Sequence, residues 1–550
     1  MNEYEEVEET YSQQEIDFLS LGKSYYKNKK YEDAIDILLE LIKLNPDNSE
    51  GWHYLGMSYT KIEKYEKAIG CLLKAIEYNP EDELNWGLLG YSYYNNKEYQ
   101  AAIESLLKAV ELNPNKEYNW YELGRAYCEN KEYQAAIKSL LKAVELNPND
   151  EYNWYELGRS YYYNEQYKEA IESLLKSVEL NPDNEYNWYE LGRSYCDNEQ
   201  YKEAIESLLK AVKLNPDNEY NWYEFGCSYA GNKQYQESIE SLLKAIELNP
   251  NKEYNWYELG RAYCENKQYN ESIESLLKAI EYNSEDELNW SWLGYSYCEN
   301  KQYNESIESL LKAIELNPNN EYNWYGLGRS YCENKEYKEA IESFLRAVKL
   351  NPNNDMNLNA LGKSYYKNKQ YQEAIELSLK AIELNHDSDD NWNLLGNSYC
   401  ENKQYKKSIE CLLKAIELNP NSKYNWNSIG YSYYKIGEYN KAVESFIKSS
   451  QLKADDVDDF ETWYWLGNSY IGLKDYYNAS KSYEKGIEIE SDNCEMLNNY
   501  GVALANLNRI EEAKIYFEKA LEIDSNYKLA RDNIDSLDSF DIDSLIISEE

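Results

Sequence analysis

Apolar residues recur along this chain in stripes that fit one face of a helix. Within residues 117–150, Trp120, Leu123 and Tyr127 stand at i, i+3 and i+7, which is the spacing of an amphipathic helix. The stripe stops at a polar break around Lys131. This pattern predicts a first helix that ends in a short polar turn.

A second apolar stripe follows the turn. It runs from Tyr133 to Val144 at helical spacing and includes Leu140 and Leu141. Pro148 comes soon afterwards, and proline ends helices because it lacks an amide donor and disfavours helix in the residue before it. The whole segment is therefore predicted to form a helix-turn-helix unit.

The same unit recurs every 34 residues and is marked by a glycine in the first helix. One longer step of 37 residues precedes Gly467, so we expect a three-residue insertion within 451–459. The pattern gives fifteen repeats over residues 15–527. The marking glycines are Gly22, Gly56, Gly90, Gly124, Gly158, Gly192, Gly226, Gly260, Gly294, Gly328, Gly362, Gly396, Gly430, Gly467 and Gly501.

The marking glycine needs a packing reason. Gly124 stands in the middle of the first helix, where glycine costs ~1 kcal/mol relative to alanine. We expect it to contact the second helix closely at the small-residue column of Ala136. One helix pair cannot bury both of its stripes, so neighbouring repeats are predicted to stack into a superhelix.

The repeat unit resembles the tetratricopeptide repeat. The resemblance covers residues 15–527 and implies an all-α fold, a right-handed α-solenoid (superhelix) of helix-turn-helix repeats. It also implies that the first helices line a concave face that binds ligands. In the second repeat, the residues that carry the resemblance are Trp52, Leu55, Gly56, Tyr59, Ala68, Ala75 and Pro80.

The segments outside the repeats are assigned from their composition. We expect an acidic N-terminal tail over 1–14, a C-terminal capping helix over 528–537 and a disordered acidic tail over 538–550. The tail contains the stretch FDIDSLIISEE, which mixes acidic and aliphatic residues. It is alternatively a docking peptide or a segment that folds back over the last helix.

Tyrosines and arginines recur on the first-helix face opposite the core stripe. Five of the eight arginines share one column, and a guanidinium binds a carboxylate bidentately and stacks on tyrosine. We therefore predict a peptide-binding groove that is most complete over 117–354. Its candidate residues are Tyr118, Tyr121, Arg125, Tyr152, Tyr155, Arg159, Tyr186, Tyr189, Arg193, Tyr220, Tyr223, Tyr254, Tyr257, Arg261, Tyr322, Tyr325 and Arg329.

An alternative interpretation assigns the arginines to the helix surface. Glu122 and Glu129 lie three and four residues from Arg125, and such helical pairs contribute ~0.2–0.5 kcal/mol. The arginines then balance these acids and bind no ligand. Both interpretations stay open from the sequence.

The sequence carries no recognisable catalytic or metal-binding motif. Its ten cysteines include no C-x-x-C pair, and six share the column of Cys128, whose members lie on different helices. Packed helices lie ~8–10 Å apart, whereas a disulfide needs Cα atoms within ~7 Å. His53 and His386 belong to no catalytic constellation. We predict free thiols, no metal, no cofactor and no enzymatic activity.

The net charge of −43 restricts the classes of partner. Such a field repels phosphate backbones, so we predict no nucleic-acid partner. No apolar run reaches the ~18–20 residues that span a bilayer, so we predict no membrane insertion. The acidic segment 1–14 lacks the features of a signal peptide, and we expect a cytoplasmic location.

The predicted function is a non-enzymatic protein–protein interaction scaffold. Its concave face would bind one or more proteins or peptides with acidic or apolar-acidic segments. Two alternatives are a structural or self-assembling spacer and a substrate-recruiting regulatory subunit of a separate enzyme. A size that depends on concentration would favour the spacer.

Overall fold

The computed structural model describes residues 2–452, 460–539 and 542–548. All regular elements in these ranges are helical and alternate as helix-turn-helix repeats, so the predicted all-α solenoid is confirmed. The chain divides into two compact units, residues 1–282 (unit 1) and 283–550 (unit 2). Most of the segment predicted to hold the insertion lies at 453–459, outside the described residues.

Odd-numbered helices are the first helices of the repeats, and even-numbered helices are the second helices. In unit 1 the described helices are α1 (Asn2–Lys27), α2 (Tyr31–Leu44), α3 (Ser49–Lys61), α4 (Tyr65–Tyr78), α5 (Glu83–Asn95), α6 (Tyr99–Leu112), α7 (Glu117–Glu129), α8 (Tyr133–Leu146), α9 (Glu151–Tyr163), α10 (Tyr167–Leu180), α11 (Glu185–Asp197), α12 (Tyr201–Leu214), α13 (Glu219–Gly231), α14 (Tyr235–Leu248), α15 (Glu253–Glu265) and α16 (Tyr269–Tyr282).

In unit 2 the described helices are α17 (Glu287–Glu299), α18 (Tyr303–Leu316), α19 (Glu321–Glu333), α20 (Tyr337–Leu350), α21 (Asp355–Lys367), α22 (Tyr371–Leu384), α23 (Asp389–Glu401), α24 (Tyr405–Leu418), α25 (Lys423–Lys435), α26 (Tyr439–Gln451), α27 (Phe460–Gly472), α28 (Tyr476–Ile489), α29 (Cys494–Asn506), α30 (Ile510–Ile523) and α31 (Lys528–Asp538). A single 3-10 turn, Ile542–Ser544, follows them.

Packing follows the order of the helices along the chain. Within each unit, a first helix packs on the second helix of its own repeat, and that second helix packs on the first helix of the next repeat. First helices of successive repeats also contact each other, as α7 contacts α9 in unit 1 and α23 contacts α25 in unit 2. Within each unit, the first helices therefore share one face.

The tryptophan and proline columns are joined by a hydrogen bond. Trp120 Nε1 donates to the carbonyl oxygen of Pro114 at 2.8 Å, so the indole ring of a first helix caps the turn before it. In the repeat where Ser284 replaces the proline, Trp290 Nε1 donates to the Ser284 carbonyl oxygen at 2.9 Å. The hydrogen bond is kept because its acceptor is a backbone carbonyl oxygen, so the proline column tolerates other residues.

The marking glycine gives room to a leucine of the second helix. A Cβ placed on Gly260 would lie 2.5 Å from Leu276 Cγ and 3.3 Å from the backbone oxygen of Ser272. Ser272 belongs to the small-residue column that was predicted to face the glycine, and its hydroxyl donates to the Gly260 carbonyl oxygen at 2.7 Å. The predicted close contact is therefore present, but the leucine provides its nearest atoms.

The turn between the two helices of a repeat contains a residue with left-handed backbone. Lys131 has φ 62°, and Gly437 and Asn508 hold equivalent positions at 78° and 62°. Glycine and asparagine enter this region with less strain than lysine, so the polar break predicted from the sequence also has a conformational role.

Two segments and one side chain differ from the sequence predictions. Helix α1 begins at Asn2, so most of the expected N-terminal tail is helical. The assignment of Leu141 to the core stripe was wrong, because its side chain is 47% exposed while the adjacent Leu140 is fully buried. Residues 542–548, for which disorder was expected and a fold back over the last helix was the alternative, contact α29 and α31. Helix α31 extends from Lys528 to Asp538, where the capping helix was expected.

We predict that Gly260→Ala destabilises unit 1 by about 1–3 kcal/mol, because the new methyl group overpacks against Leu276. Gly70→Ala is the matched control, since Gly70 also lies inside a helix but has open space around its Cα. The control should gain up to ~1 kcal/mol from helix propensity. Urea denaturation measures both changes. Equal effects of the two substitutions would refute the steric explanation.

Candidate functional site

An outer tyrosine column lies exposed on the first-helix face. We use this name for Tyr118, Tyr152, Tyr186, Tyr220 and Tyr254 in unit 1 and Tyr322 in unit 2. Tyr152 and Tyr186 are 56% and 57% exposed, and of the six only Tyr254 is less than about one third exposed. The structure therefore places these predicted site residues where a partner can reach their rings.

An inner tyrosine column lies beside the arginines and is half-buried. It comprises Tyr121, Tyr155, Tyr189, Tyr223 and Tyr257 in unit 1 and Tyr325 in unit 2. Burial raises the pKa of Tyr121 above its ordinary value, so the phenol stays protonated at neutral pH. The guanidinium carbon of Arg125 lies 5.5 Å from the centre of the Tyr121 ring, within cation–π range.

The arginines are held by buried glutamates in their own and the next repeat. Arg125 Nη1 lies 3.1 Å from Glu122 Oε2, and its Nε lies 3.7 Å from Glu156 Oε1. Arg159 continues the pattern with Nη1 3.0 Å from Glu156 Oε2 and Nε 3.9 Å from Glu190 Oε1. Glu122 is only 2% exposed, so this glutamate–arginine ladder is mostly shielded from water.

The ladder ends where the repeat sequence changes. Arg193 pairs with Glu190 and reaches Glu224 at 3.6 Å, but Cys227 occupies the arginine position of that repeat. Burial raises the pKa of Glu224 to about 7, although Arg193 opposes the shift. Glu224 therefore pairs with one arginine of the ladder, whereas Glu156 and Glu190 each pair with two.

Arg329 in unit 2 has a different partner. The glutamate position of its own helix is occupied by Gly326, and its Nη2 instead lies 2.5 Å from Glu299 Oε1 of the preceding repeat. The pairing of arginine with acids thus extends beyond the pairs within one helix, three and four residues apart, that the sequence suggested.

Two tyrosines outside the predicted site also hold arginines. Arg125 stacks 4.4 Å from the centre of the Tyr94 ring and donates through Nη2 to Tyr94 Oη at 3.2 Å. Arg193 contacts Tyr162 in the same way, with distances of 4.4 Å and 2.9 Å. Each tyrosine lies in the repeat before its arginine, at the position that corresponds to Cys128. The alternation of tyrosine and cysteine at this position from Tyr94 to Cys196 was the sequence signal that could have identified these contacts.

A buried asparagine column was also missed. Asn187 and Asn221 are fully buried, and Asn221 Nδ2 donates to the carbonyl oxygens of Ala211 and Asn215, both at 3.3 Å. These carbonyls end the preceding second helix, so the asparagines join consecutive repeats and satisfy helix-end acceptors. The sequence signal that could have found this column was the polar residue that recurs between two aromatics in the triplet Tyr-Asn-Trp.

Unit 2 contains a cavity with a basic lining. Its volume is about 520 Å³, and Arg329, Lys335, Lys363 and Lys367 line it together with Glu333. Lys363 and Lys367 occupy the columns that hold Arg329 and Glu333 one repeat earlier. The exchange of a glutamate for a lysine makes this part of an otherwise acidic chain locally positive.

The cysteines of the described residues are free thiols. Burial raises the pKa of Cys128 and of Cys196 to about 11, so both are thiols at neutral pH and poor nucleophiles. No group of three or more His, Cys, Asp or Glu side chains within the described residues is arranged to hold a metal ion. Among those residues, no helix has the length and apolar composition that a membrane crossing requires.

Models of tetratricopeptide repeats match segments that together cover most of the chain. A model described as anaphase-promoting complex, cyclosome, subunit 3 matches 7–75, 140–211 and 276–347. A TPR repeat model matches 192–233, 328–369 and 396–437. Further tetratricopeptide repeat models match 55–117, 118–150, 220–252, 241–274, 357–387, 424–456, 460–493 and 495–527.

Several solved structures are similar in part. A chain of the APC/C hetero-tetramer Cut9-Hcn1 has a TM-score of 0.37 and 15% identity over 94% of this chain and 95% of that chain. A chain of Naa15/Naa10 bound to HypK-THB has values of 0.36 and 13% over 96% and 97%. YrrB, a TPR protein with an unusual peptide-binding site, has 0.30 and 26% over 32% and 92%. A comparison with curated proteins finds no match.

We predict that Arg159→Ala destabilises unit 1 by about 1–3 kcal/mol, because buried carboxylate groups lose their partner. Lys176→Ala is the matched control, since it removes an exposed pair with Glu179 at 2.8 Å. The control should change stability by less than about 0.5 kcal/mol. Urea denaturation, with hydrogen exchange in α9–α11, measures both variants. A similar small change in both would show that the ladder contributes no stability.

We predict a pH effect from Glu224. Its pKa is about 7 when folded but ~4.3 in an unfolded chain, so the folded state holds an extra proton between these values. The contribution of protonated Glu224 to folding stability is full below the pKa of the unfolded chain, and it is lost as the pH rises through the pKa of the folded chain. Glu224→Gln should therefore make stability decline less between about pH 4 and pH 7.

Denaturation at several pH values measures this slope for the wild type, Glu224→Gln and a control variant. Glu179→Gln is that control, because it replaces an exposed glutamate in the same unit. If Glu224→Gln and the wild type give parallel curves, the folded carboxyl group is not the source of the pH dependence.

Proposed function

Since the chain belongs to the tetratricopeptide-repeat family, we propose that it is a non-catalytic scaffold that binds protein or peptide segments. The proposed binding surface in unit 1 is the outer tyrosine column together with the exposed edges of the arginines. We also propose a cytoplasmic location, which the ten free cysteines favour.

The observation that carries this proposal is the exposure of one aromatic ring on each of four successive first helices of unit 1, from Tyr118 to Tyr220. Core packing does not require these rings, because Trp120 and Leu123 fill the opposite side of the same helix. Exposed aromatic side chains in a continuous patch are typical of protein-interaction sites, where tyrosine and arginine contribute strongly to binding.

The arginines define what the surface can bind. Each guanidinium is largely neutralised by the glutamate–arginine ladder, so in unit 1 we expect affinity to come mainly from the rings of residues such as Tyr152 and Tyr186. In unit 2 the cavity near Lys363 and Lys367 adds net positive charge. Its basic lining supports partners with acidic segments there and apolar segments along unit 1.

A column of half-exposed leucines offers a second candidate surface for the same function. It lies on the second helices, and a groove of about 570 Å³ there is lined by Leu243, Trp256 and Leu277. The exposed leucines of unit 1 are Leu39, Leu73, Leu107, Leu141, Leu175, Leu209, Leu243 and Leu277. Exposed aliphatic side chains at this regular spacing also favour protein contact.

Two double variants in the same repeats distinguish the surfaces. Tyr152→Ser with Tyr186→Ser removes two outer rings, and Leu175→Ser with Leu209→Ser removes two exposed leucines from the following second helices. All four side chains are exposed, so both variants should keep the wild-type melting temperature within a few degrees. Partners are captured from lysate of the source cells and identified by mass spectrometry.

We expect partners that the wild type and the leucine variant retain and that the tyrosine variant loses. The reverse result would move the binding surface to the second helices. Identical capture by all three chains would exclude both surfaces. An empty capture, combined with a size that increases with concentration, would favour a self-assembling spacer.

A further inference from the structure

Residues 545–548 follow the last helix as an extended segment that lies against α29 and α31. Leu545 and Ile547 are partly buried against the apolar cluster of the last repeats, whereas Ile546 is 51% exposed. Ser548 is 4% exposed. The side chains of Leu545, Ile547 and Ser548 therefore face the protein, and the side chain of Ile546 faces solvent.

Two asparagines bind the backbone of this segment at alternate residues. Asn533 Oδ1 accepts from Ile546 N at 2.8 Å, and Asn533 Nδ2 donates to Ile546 O at 2.8 Å. Asn499 Oδ1 accepts from Ser548 N at 2.7 Å, and Asn499 Nδ2 donates to Ser548 O at 2.9 Å. Each amide group therefore pairs with both polar atoms of one peptide residue, without reading its side chain.

Other buried side chains hold these asparagines in place. Asn533 Nδ2 also donates to Asn498 Oδ1 at 2.8 Å, and Asn499 Nδ2 also donates to Asn468 Oδ1 at 2.9 Å. Tyr483 Oη donates to Asn468 Oδ1 at 2.5 Å. The network holds the amide groups in the orientation that binds the segment, and such preorganisation lowers the entropic cost of binding.

The site is confined to the last first helices. The position that Asn499 and Asn533 occupy, two residues before the marking glycine or its equivalent, holds Glu122, Glu156 and Glu190 in three earlier repeats. Those glutamates pair with arginines. Asn498, Asn499 and Asn533 would each lose a hydrogen-bond partner without a peptide, and an unsatisfied buried polar group costs ~1–3 kcal/mol. Hydrogen bonds between repeats use only part of the capacity of Asn499 and Asn533, and the peptide backbone uses the rest.

We propose that α27, α29 and α31 form a binding site for an extended peptide backbone, and that residues 545–548 occupy it as an intramolecular ligand. A partner segment reaches the site by displacing this ligand. Leu545 and Ile547 pack on the protein, and Ser548 is enclosed. The partner therefore presents aliphatic residues at the positions of Leu545 and Ile547 and a small polar residue at the position of Ser548. This inference concerns a surface separate from the tyrosine column and does not depend on it.

The test uses a fluorescent peptide with the sequence of residues 540–550 and three chains. These are the wild type, a chain truncated after Ser539, and the full-length variant Ser548→Pro, which lacks the N–H that Asn499 accepts. The attached segment competes at an effective concentration of order mM, so it should weaken peptide binding to the wild type at least about tenfold. Both altered chains should bind the peptide more tightly than the wild type does.

A second comparison tests backbone recognition. N-methylation of the peptide at the positions of Ile546 and Ser548 removes the N–H groups that Asn533 and Asn499 accept. N-methylation at the positions of Leu545 and Ile547 is the matched control. Asn499→Ala in the truncated chain should abolish binding, and its far-ultraviolet circular dichroism shows whether the chain stays folded.

Equal affinity for all three chains would overturn the proposal, because the attached segment would then not compete. Absence of binding to both the truncated chain and Ser548→Pro would also overturn it. If the two kinds of methylated peptide bind equally well, recognition does not use the backbone and the site assignment fails. None of these results depends on the outer tyrosine column, so the scaffold proposal is tested separately.

Discussion

The contact between a first-helix glycine and the side chain of the second helix sets the distance between the two helices of a repeat. Nothing larger than hydrogen fits at Gly260 without moving Leu276, and the same column tolerates a larger partner in unit 2, where Phe344 lies against Gly328. Because each second helix inside a unit also packs on the next first helix of that unit, this short distance determines how closely its consecutive repeats stack. The hydrogen bonds from the buried asparagines to the preceding second helix, and those from the indole groups to the turn before each first helix, depend on that stacking.

The glutamate–arginine ladder follows from the same close packing. First helices of successive repeats lie near enough for Arg125 to reach Glu156 as well as Glu122. Removing these charges from water is costly, and the arrangement lowers the cost because each arginine has several acceptors and a stacked tyrosine ring. Packing therefore occupies most of the arginine's binding capacity, and the outer tyrosines other than Tyr254 are the exposed part of this face.

The last repeats use the equivalent position in another way. Amides at Asn499 and Asn533 replace the glutamates, and no arginine stands beside them to neutralise a carboxylate. A neutral amide can both donate and accept, so it matches the two polar atoms of a peptide residue. One structural position thus supports charge pairing within the scaffold in one region and backbone binding in another.

The sequence alone determined the repeat, its period and the helical class, because apolar spacing and regular glycines have direct local causes. It also located the outer and inner tyrosines on one helix face. Only the tertiary structure decided which of two adjacent residues, Leu140 or Leu141, is buried, since both fit the stripe. The pairing of Arg125 across repeats and the docking of residues 545–548 were likewise beyond the sequence. Those contacts join residues distant in the chain, and their geometry exists only when the helices are packed.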